Sequence, residues 1–394
     1  MPFYTGGVNL NDFYFTDEDI VNKYVSMDIY TLIIPFVVPE DAFTTVPDSM
    51  RLVDADFATP EIAGAGNDLP RTICIKSDGT LWHIGPTYSW MGYAAPSPVT
   101  NPVGVSVGSN WKKISIAYGG NPGFVITALK TDNTLWTWGR NIYGALGRPS
   151  TYYTERYPAM IEGSWSEVAS GTWGGAAIRT DGTLWTWGQN TYGQLGDNTT
   201  VDQGSPVQTI SGGTWSKVRC GDSYKIAIKT DGTLWSWGQN NYGQLGDGTV
   251  VNRSSPVQIV SGGTNWAKLA GGQSYRTYHE AAIKSDGTLW TWGKNNHPFG
   301  GGQLGDNTTT AKSSPVQIAG NTWKQVTAAS GVTAAIKTDG ALWYWGYGQF
   351  VRGYTTYFPS SPVQLLSSSN VKWKKVEAGY GGSNYSLFAI GTKG

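Results

Sequence analysis

The residues best suited to catalysis or metal binding are few in this sequence and lie far apart. The 394-residue chain contains three histidines and two cysteines, which are His83, His279, His297, Cys74 and Cys220. None shows the His-x-x-x-His, Cys-x-x-Cys or calcium-loop spacing that brings several ligands onto one metal ion. Neither cysteine has a nearby sequence partner, so we expect buried, unreactive thiols rather than a nucleophile or a disulfide framework. The sequence therefore predicts no metal, no cofactor and no enzymatic activity.

A glycine-rich string that could cradle a phosphate occurs three times. Gly-Gln-Leu-Gly-Asp begins at Gly193, Gly243 and Gly302. A phosphate loop also needs a lysine and a helix that follows it, and this string has neither. Because the string recurs at one place in successive modules, we interpret it as a structural turn.

Closely spaced tryptophans could form stacking platforms for sugar rings. Trp-x-Trp occurs five times, as Trp136/Trp138, Trp185/Trp187, Trp235/Trp237, Trp290/Trp292 and Trp343/Trp345. A spacing of two places both rings of a pair on the same face of a strand. Since all five pairs occupy one structural position, we predict that they pack between neighbouring modules, where each ring buries a large apolar surface.

The composition indicates a β-type protein with a large core and no excess of basic or acidic charge. The chain has 53 glycines, 19 tryptophans and only 14% charged residues, and its 28 basic and 28 acidic side chains cancel. Dispersed, balanced charge argues against binding to nucleic acid or to an anionic membrane. The longest apolar stretch, Thr31 to Val38, is too short to span a bilayer, so we expect no membrane insertion.

These candidate residues are set into a tandem repeat. Thr180-Asp-Gly-Thr-Leu-Trp-Thr-Trp-Gly188 returns at Thr230 to Gly238 and, with Ser in first place, at Ser285 to Gly293. Looser copies and a truncated last copy extend the series, giving a period of about 52 residues. The residues at the aspartate position of the successive copies are Asp78, Asp132, Asp181, Asp231, Asp286, Asp339 and, in the truncated copy, Lys393.

Each period contains four short strand candidates separated by turn residues. In the fourth module they begin at Trp215, Ile226, Leu234 and, with Ser-Pro-Val-Gln, Ser255. We expect the strand that begins with the Trp to be innermost and the Pro-Val-Gln strand to be outermost. The Asp-Gly between the second and third strands predicts a type I′ hairpin, and Asn133, which replaces that glycine in module two, also tolerates positive φ.

The predicted fold is therefore all-β, a seven-bladed β-propeller of four-stranded repeats, with six blades as the alternative. We assign residues 57–394 to the propeller and residues 1–56 to a non-repeat segment. The last module, Trp373 to Gly394, lacks two outer strands. The strand candidate Thr31 to Val38 could complete that module and so close the ring.

The repeats resemble those of the regulator of chromosome condensation family of seven-bladed propellers. The resemblance is carried by Asp-Gly-Thr-Leu-Trp-x-Trp-Gly followed by Asn-x-Tyr-Gly-Gln-Leu-Gly, as in Asp181 to Gly196. The family's eponymous member is an exchange factor for a small nuclear GTPase and docks on chromatin through a basic tail, which this sequence lacks. The short, Trp-rich repeats are more similar to bacterial and viral members, one of which inhibits β-lactamases. The resemblance implies the fold and carries over no site residue.

The N-terminal segment supplies a second resemblance. Gly7-Val-Asn-Leu-Asn-Asp-Phe13 is similar to the start of some tailed-phage virion proteins. We therefore predict a non-enzymatic, virion-associated propeller, a tail or capsid accessory or a host-surface adhesin, that binds other virion proteins or a host-surface molecule. Residues 1–56 would attach it and could support an oligomer. The alternative is a free, secreted or cytoplasmic propeller that acts as an inhibitor or an interaction scaffold.

Candidate partner-binding residues stand where the repeat degenerates into aromatic loops. Modules one, two and six replace the Gly-Gln-Leu-Gly-Asp loop, and in a seven-blade ring they lie in one sector. Exposed aromatic clusters are typical of interfaces. The alternative is that these loops pack against residues 1–56. Module five adds Arg276 to His279 and Pro298 to Gly302 as secondary candidates. The nine predicted partner-binding residues are Tyr88, Trp90, Tyr93, Tyr152, Tyr153, Tyr157, Phe350, Tyr354 and Tyr357.

Overall fold

Short strands account for nearly all of the regular structure. A computed structural model describes residues 29–34, 63–64, 72–75, 78–84, 103–104, 108–118, 124–150, 152–261, 263–270, 277–296, 301–329, 331–346, 359–365, 371–381 and 384–393. Within these ranges the strands form six four-stranded antiparallel sheets and one three-stranded sheet.

Apart from the first strand, consecutive strands of the chain belong either to the same sheet or to the next sheet. Strand β1 (Ile29–Ile34) belongs to the three-stranded sheet. Sheet 1 contains β2 (Ala63–Gly64), β3 (Thr72–Ile75), β4 (Leu81–Ile84) and β5 (Val103–Gly104). Sheet 2 contains β6 (Trp111–Tyr118), β7 (Phe124–Lys130), β8 (Leu135–Arg140) and β9 (Thr154–Ile161), with a 3₁₀ turn at Ile142–Gly144. Sheet 3 contains β10 (Trp165–Gly171), β11 (Gly174–Arg179), β12 (Leu184–Gly188) and β13 (Gln203–Gln208).

The remaining sheets repeat the same arrangement. Sheet 4 contains β14 (Trp215–Cys220), β15 (Tyr224–Lys229), β16 (Leu234–Gly238) and β17 (Arg253–Gln258). Sheet 5 contains β18 (Trp266–Ala270), β19 (His279–Lys284), β20 (Leu289–Gly293) and β21 (Lys312–Ile318). Sheet 6 contains β22 (Trp323–Ala329), β23 (Val332–Lys337), β24 (Leu342–Gly346) and β25 (Val363–Leu365). Sheet 7 contains β26 (Val371–Gly381) and β27 (Asn384–Lys393), together with β1.

The predicted order of strands within a module is confirmed. In each four-stranded sheet the strands are hydrogen-bonded in chain order, and the Pro-Val-Gln strand is the fourth. The first strands β2, β6, β10, β14, β18, β22 and β26 contact one another in succession, and β26 also contacts β2. The first strands therefore lie innermost, in a cyclic order, as the repeat predicts.

Sheet 7 joins the two distant ends of the described chain. Strand β1 pairs antiparallel with β27, from Ile29 opposite Thr392 to Ile34 opposite Leu387. Strand β1 overlaps Thr31 to Val38, the strand predicted to complete the last module, although β1 begins two residues earlier. The sheet then has the order β1-β27-β26, so β1 occupies the position of a third strand.

The hairpin between the second and third strands differs from the predicted type I′ turn. Lys229 N–H donates to Thr233 O at 2.9 Å, and Gly232 N–H donates to Lys229 O at 3.0 Å. The loop therefore has three residues, and only Gly232 among them has a positive φ, +79°. This is the three-residue hairpin with a glycine bulge, because the pairing register needs one residue more than a type I′ turn supplies. Asn133 takes the same left-handed conformation at φ +67°, as predicted.

The hairpin glycine also contacts the next sheet. The backbone N–H of Trp266, the first residue of sheet 5, donates to Gly232 O at 3.1 Å. A Cβ at Gly232 would lie 1.9 Å from Thr264 O, so the position admits no side chain. The equivalent bonds run from Trp111 to Gly79, Trp165 to Asn133, Trp215 to Gly182, Trp323 to Gly287 and Trp373 to Gly340.

The predicted packing of the Trp-x-Trp pairs between modules is confirmed. The second ring of each pair is fully buried, and in sheets 3 to 6 its indole N–H donates to a carbonyl of the preceding sheet. The first ring is half-buried; in sheet 4, Lys229 Nζ lies 4.2 Å from the ring centroid of Trp235. The indole bonds are Trp187 to Ala145 O, Trp237 to Gln194 O, Trp292 to Gln244 O and Trp345 to Gln303 O, at 2.9–3.1 Å.

The core is divided into layers between adjacent sheets. One layer packs Ile178 and Leu184 of sheet 3 against Trp215, Val218 and Trp237 of sheet 4, and similar clusters join the other described pairs. Sheets 2 to 6 thus bury both faces against their neighbours, and their second and third strands are almost wholly buried.

An ionic bridge crosses the inner strands. Glu167 accepts from Lys113 of the preceding sheet and from Arg219 of the following sheet. Burial opposes ionisation of Glu167, but these two cations hold its pKa below the usual value. The bridge therefore joins the first strands of three successive sheets, β6, β10 and β14.

We expect Gly232→Ala to destabilise the protein strongly. The change forces a Cβ against the Thr264 carbonyl and places Ala at a positive φ, which together cost at least about 2 kcal/mol. The control is Gly212→Ala, since a Cβ at Gly212 meets no atom within 4 Å. Thermal denaturation followed by circular dichroism measures both variants, and equal melting temperatures would contradict this account of the hairpin.

Candidate functional site

Isolated titratable groups, rather than a convergent catalytic set, occupy the part of the chain that the structure describes. Within it, no three His, Cys, Asp or Glu side chains are grouped to hold a metal ion. No helix of the described ranges is both long enough and apolar enough to cross a bilayer. Cys220 is buried, its thiol faces Ala169 O, and burial raises its pKa, as expected of an unreactive cysteine.

Two kinds of connection lie at the same end of each four-stranded sheet, and we call this end the loop face. It carries the connections from first to second strand and from third to fourth strand, such as 172–173 and 189–202 in sheet 3. The opposite end carries the Asp-Gly hairpins. All nine residues predicted to bind a partner fall in third-to-fourth connections or on the strand that follows.

Three of these nine residues are described, and all three are exposed. Tyr152 and Tyr153 end the connection that leads into β9, and Tyr157 lies on β9 itself. Their exposed fractions are 69%, 81% and 67%. Asn141 N–H donates to Tyr153 O at 2.8 Å, which fixes the backbone of this connection against the end of β8. The outer strand of sheet 2 and the connection that leads into it therefore present three large aromatic rings to solvent.

The other six predicted residues lie outside the described residues. They are Tyr88, Trp90, Tyr93, Phe350, Tyr354 and Tyr357. The grouping of modules six, one and two in one aromatic sector therefore stays a prediction, as does its alternative, the packing of these loops against residues 1–56.

A second aromatic group on the loop face was missed by the sequence reasoning. Tyr143, about half exposed, meets Trp173 of sheet 3 edge to face at 5.7 Å between ring centroids. The guanidinium of Arg140 lies 4.8 Å from the centroid of Trp173. The sequence contained a signal for this group. Of the 19 tryptophans, all but Trp90 and Trp173 stand at the three tryptophan positions of the repeat, which are the start of the first strand and the two positions of the Trp-x-Trp pair. A tryptophan outside those positions has no repeat-wide packing role.

Buried polar pairs join adjacent sheets beneath the loop face. Tyr224, the first residue of β15, donates its hydroxyl to Glu280 Oε1 of sheet 5 at 2.6 Å. His279, at the same position of β19, has its Nε2 2.9 Å from Thr333 Oγ1 of sheet 6. Both pairs are almost fully enclosed, and burial raises the pKa of Glu280 to about 8.

The position of His279 corrects the expectation for module five. The string Arg276 to His279 suggested a loop available for contact, but His279 begins strand β19 and is buried. The pairing register with β20 requires this, because His279 stands opposite Gly293 just as Tyr224 stands opposite Gly238. Arg276 and Pro298 to Gly300 lie outside the described residues.

Comparison with known proteins agrees with the geometry of the sheets. The regulator of chromosome condensation (RCC1) repeat matches residues 132–178, 181–228, 231–276 and 286–336. A second family of the same repeat matches residues 165–194 and 215–244. Residues 132–276 and 286–336 are thus similar to RCC1 repeats. Their limits divide the chain at the hairpin aspartates, whereas each RCC1-type sheet begins at the tryptophan that opens its first strand.

Solved structures show the same fold. Human WBSCR16 is 17% identical, with a TM-score of 0.66 over 84% of this chain and 87% of its own. Prp20p from Saccharomyces cerevisiae is 18% identical, with a TM-score of 0.67 over 84% of this chain and 82% of its own. Yeast RCC1 (Prp20) bound to Kap60 is 17% identical, with a TM-score of 0.64 over 84% and 80%. No curated protein matches this chain in sequence. The chain is therefore an RCC1-type propeller in fold.

We expect Glu280→Gln to flatten the dependence of stability on pH. The folded protein keeps a proton that the unfolded chain releases near pH 4.5, so the free energy of unfolding falls as pH rises from about 4.5 to about 8. The slope approaches about 1.4 kcal/mol per pH unit in that window. Glutamine keeps the oxygen that accepts from Tyr224 but cannot ionise.

Chemical denaturation at pH 5 and pH 8 measures this effect. The loss of stability between the two pH values should be smaller in Glu280→Gln than in the wild type. Glu162→Gln, which removes an exposed carboxyl group, should behave like the wild type. An unchanged pH dependence in Glu280→Gln would show that Glu280 ionises freely in the folded protein.

Proposed function

We propose that this chain is a non-enzymatic, protein-binding propeller whose partner docks on the loop face of blades 2 and 3. The observation that carries the proposal is the exposure of Tyr152 and Tyr153, just before the outer strand β9, and of Tyr157 on that strand. Large, rigid aromatic side chains supply much of the contact area in protein interfaces at a low cost in conformational entropy. Three such rings on a neutral, rigid scaffold suit a protein partner.

The second aromatic group extends this surface toward the propeller axis. Trp173 is half-buried between Tyr143 and Arg140, so its position is fixed before a partner arrives. A preorganised aromatic and guanidinium group loses little freedom on binding, which favours affinity. Tyr143 lies in the connection that ends at Tyr153, so this one connection contributes residues to both groups.

The relatives support a binding role for the fold. The solved structure of Prp20p is described with its binding to Gsp1p and histones, and another shows yeast RCC1 with Kap60. Gsp1p, the histones and Kap60 are all proteins. We take the class of partner, a protein, from these relatives, and no individual partner.

We further propose that the seven sheets are the seven blades of a closed ring. The cyclic contacts of the first strands support this count. The pairing of β1 with β27 supports closure through the N-terminal segment, which the sequence placed in residues 1–56. A closed ring holds the blade 2 and blade 3 loops in fixed relation to each other.

The virion role stays a proposal from the sequence. It depends on Gly7 to Phe13, which lie outside the described residues, and none of the comparisons supports it. The virion location and assembly through residues 1–56 likewise stay proposals.

Proteomics on purified particles of the source tests the virion role. Stoichiometric copies of the chain in the particles would support that role, and recovery only from soluble fractions would reject it.

We expect the triple variant Tyr152→Ser, Tyr153→Ser, Tyr157→Ser to lose its partner. Truncating central interface aromatics costs about 1–2 kcal/mol each, so binding should weaken at least tenfold. The measurement is quantitative affinity capture from lysate of the source, comparing wild type and variant. The matched control is Ile210→Ser with Val260→Ser, which removes exposed apolar side chains near the hairpin end.

A protein retained by the wild type and the control but released by the triple variant supports the proposed surface. Equal retention by all three proteins would place the interface elsewhere. Failure of the wild type to retain any protein would count against a binding role.

A further inference from the structure

The first strands of the blades begin with an excess of positive charge. In six blades a tryptophan opens the first strand or lies near its start, as Trp215 does in β14. The two residues that follow this tryptophan include one described acidic residue, Glu167, and seven lysines. These lysines, which we call the inner lysines, are Lys112, Lys113, Lys217, Lys268, Lys324, Lys374 and Lys375.

The inner lysines surround the propeller axis at the end opposite to the loop face. Each first strand is innermost and starts at the hairpin end, where the N–H of its tryptophan donates to the hairpin of the preceding blade. A β-bulge follows the tryptophan in all six strands, and such bulges re-aim the side chains beside them. Lys113 and Lys375 are half-buried and the other five inner lysines are exposed, so an anion can reach them from solvent.

Contacts between neighbouring blades show that the described residues compensate this positive charge only in part. Lys268 Nζ donates to the backbone O of Lys324 at 2.5 Å, which brings one lysine side chain to the next blade's lysine. Burial and the charge of Lys324 lower the pKa of Lys268. Glu167 supplies one negative charge, which its bonds to Lys113 and Arg219 already use. A further anion would therefore relieve repulsion among the other inner lysines.

The hairpins around the inner lysines carry balanced charge. Each hairpin aspartate has a lysine or an arginine two positions before it, as Asp231 has Lys229. Hydrogen bonds from Thr233 and the charge of Lys229 hold the pKa of Asp231 below its usual value, so Asp231 is ionised at neutral pH. The positive excess is therefore confined to the centre of this end. That distribution suits a narrow acidic segment better than a membrane or a long phosphate backbone.

One acidic run of the chain is tethered close to the inner lysines. Asp17 to Asp19 is an unbroken run of three acidic residues, and β1 begins ten positions after it, at Ile29. Ile29 pairs with Thr392, which pairs with Lys372 of β26, so β1 starts at the hairpin end of blade 7. Two strand spacings, about 10 Å, separate Ile29 from β26. An extended chain of ten residues spans up to about 33 Å, so the run can reach the inner lysines.

We propose that the acidic run Asp17 to Asp19, which lies outside the described residues, binds the inner lysines of its own chain. Exposed ion pairs are individually weak, so a separate acidic peptide would bind poorly. A run tethered through β1 meets the lysines at an effective concentration of about 1 mM, which lets several weak pairs act together. The contact goes beyond the partner site proposed on the loop face, because it lies at the opposite end of the propeller.

Zero-length carbodiimide cross-linking of the full chain tests this contact, because it joins a carboxylate to an ammonium group only when the two groups touch. Peptide mass spectrometry should find links from the acidic run to the inner lysines, and about 0.5 M NaCl should suppress them. An equal mixture of ¹⁴N-labelled and ¹⁵N-labelled chains identifies the source of the run. Links within one isotope are expected, and links between the two isotopes would assign the run to a second copy and overturn the inference.

The double variant Asp17→Asn with Asp19→Asn provides a second measurement, the rate at which an amine-specific ester acetylates Lys217 and Lys324. The rate should rise at least about threefold in this variant, because the carboxylates that cover the two ammonium groups are lost. The matched control is Glu40→Gln with Asp41→Asn, which also removes two acidic charges but from the segment after β1. The control should be acetylated at the wild-type rate.

Three other results would overturn the inference. They are the absence of links from the acidic run, equally frequent links to lysines outside the inner set, and an unchanged acetylation rate in the variant of Asp17 and Asp19. The triple tyrosine variant should give the same links as the wild type. The contact at the hairpin end and the partner surface on the loop face can therefore fail independently.

Discussion

Blades 3 to 6 are each held to the preceding blade by a buried tryptophan whose indole N–H donates to a backbone carbonyl of that blade. Trp237 fills the layer between blades 3 and 4 and binds Gln194 O at the same time. The ring supplies apolar burial, and the hydrogen bond sets where along the strand the two sheets meet. The Gly-Gln-Leu-Gly connection is short and rich in glycine because it must bring that carbonyl to the indole. A Cβ at Gly196 would lie 2.7 Å from the Trp237 Nε1 atom.

The sequence was enough to predict the strands, their order in the sheet and the burial of the tryptophan pairs. These follow from period-two patterning that recurs in every module, so each copy repeats the evidence of the others. The hairpin type was beyond the sequence, since Asp-Gly is compatible with two-residue and three-residue loops and the strand register decides between them. The polar contacts between blades were also beyond it. Tyr224 and Glu280 look like ordinary strand residues until the ring places them 2.6 Å apart across two blades.

The same comparison explains why the repeat can vary without losing its fold. The first two positions of the second strand face adjacent blades, and the chain fills them with Tyr224 and Glu280, with His279 and Thr333, or with Gly174 and Lys225. The tryptophan bonds and the hairpin contacts do not depend on this choice. Polar character can therefore change from one layer to the next while the spacing of the blades stays fixed.

The pairing of β1 with β27 has a consequence for synthesis. Ile34 and Leu387 are partners in one sheet, although the ribosome makes them about 350 residues apart. At 5–20 residues per second, β1 waits roughly 20–70 s for its partner strand. During that interval it is an unpaired strand with open hydrogen-bonding edges, the kind of segment that pairs with other chains. The strand that completes the sheet is thus also the one most in need of protection while the chain is being made.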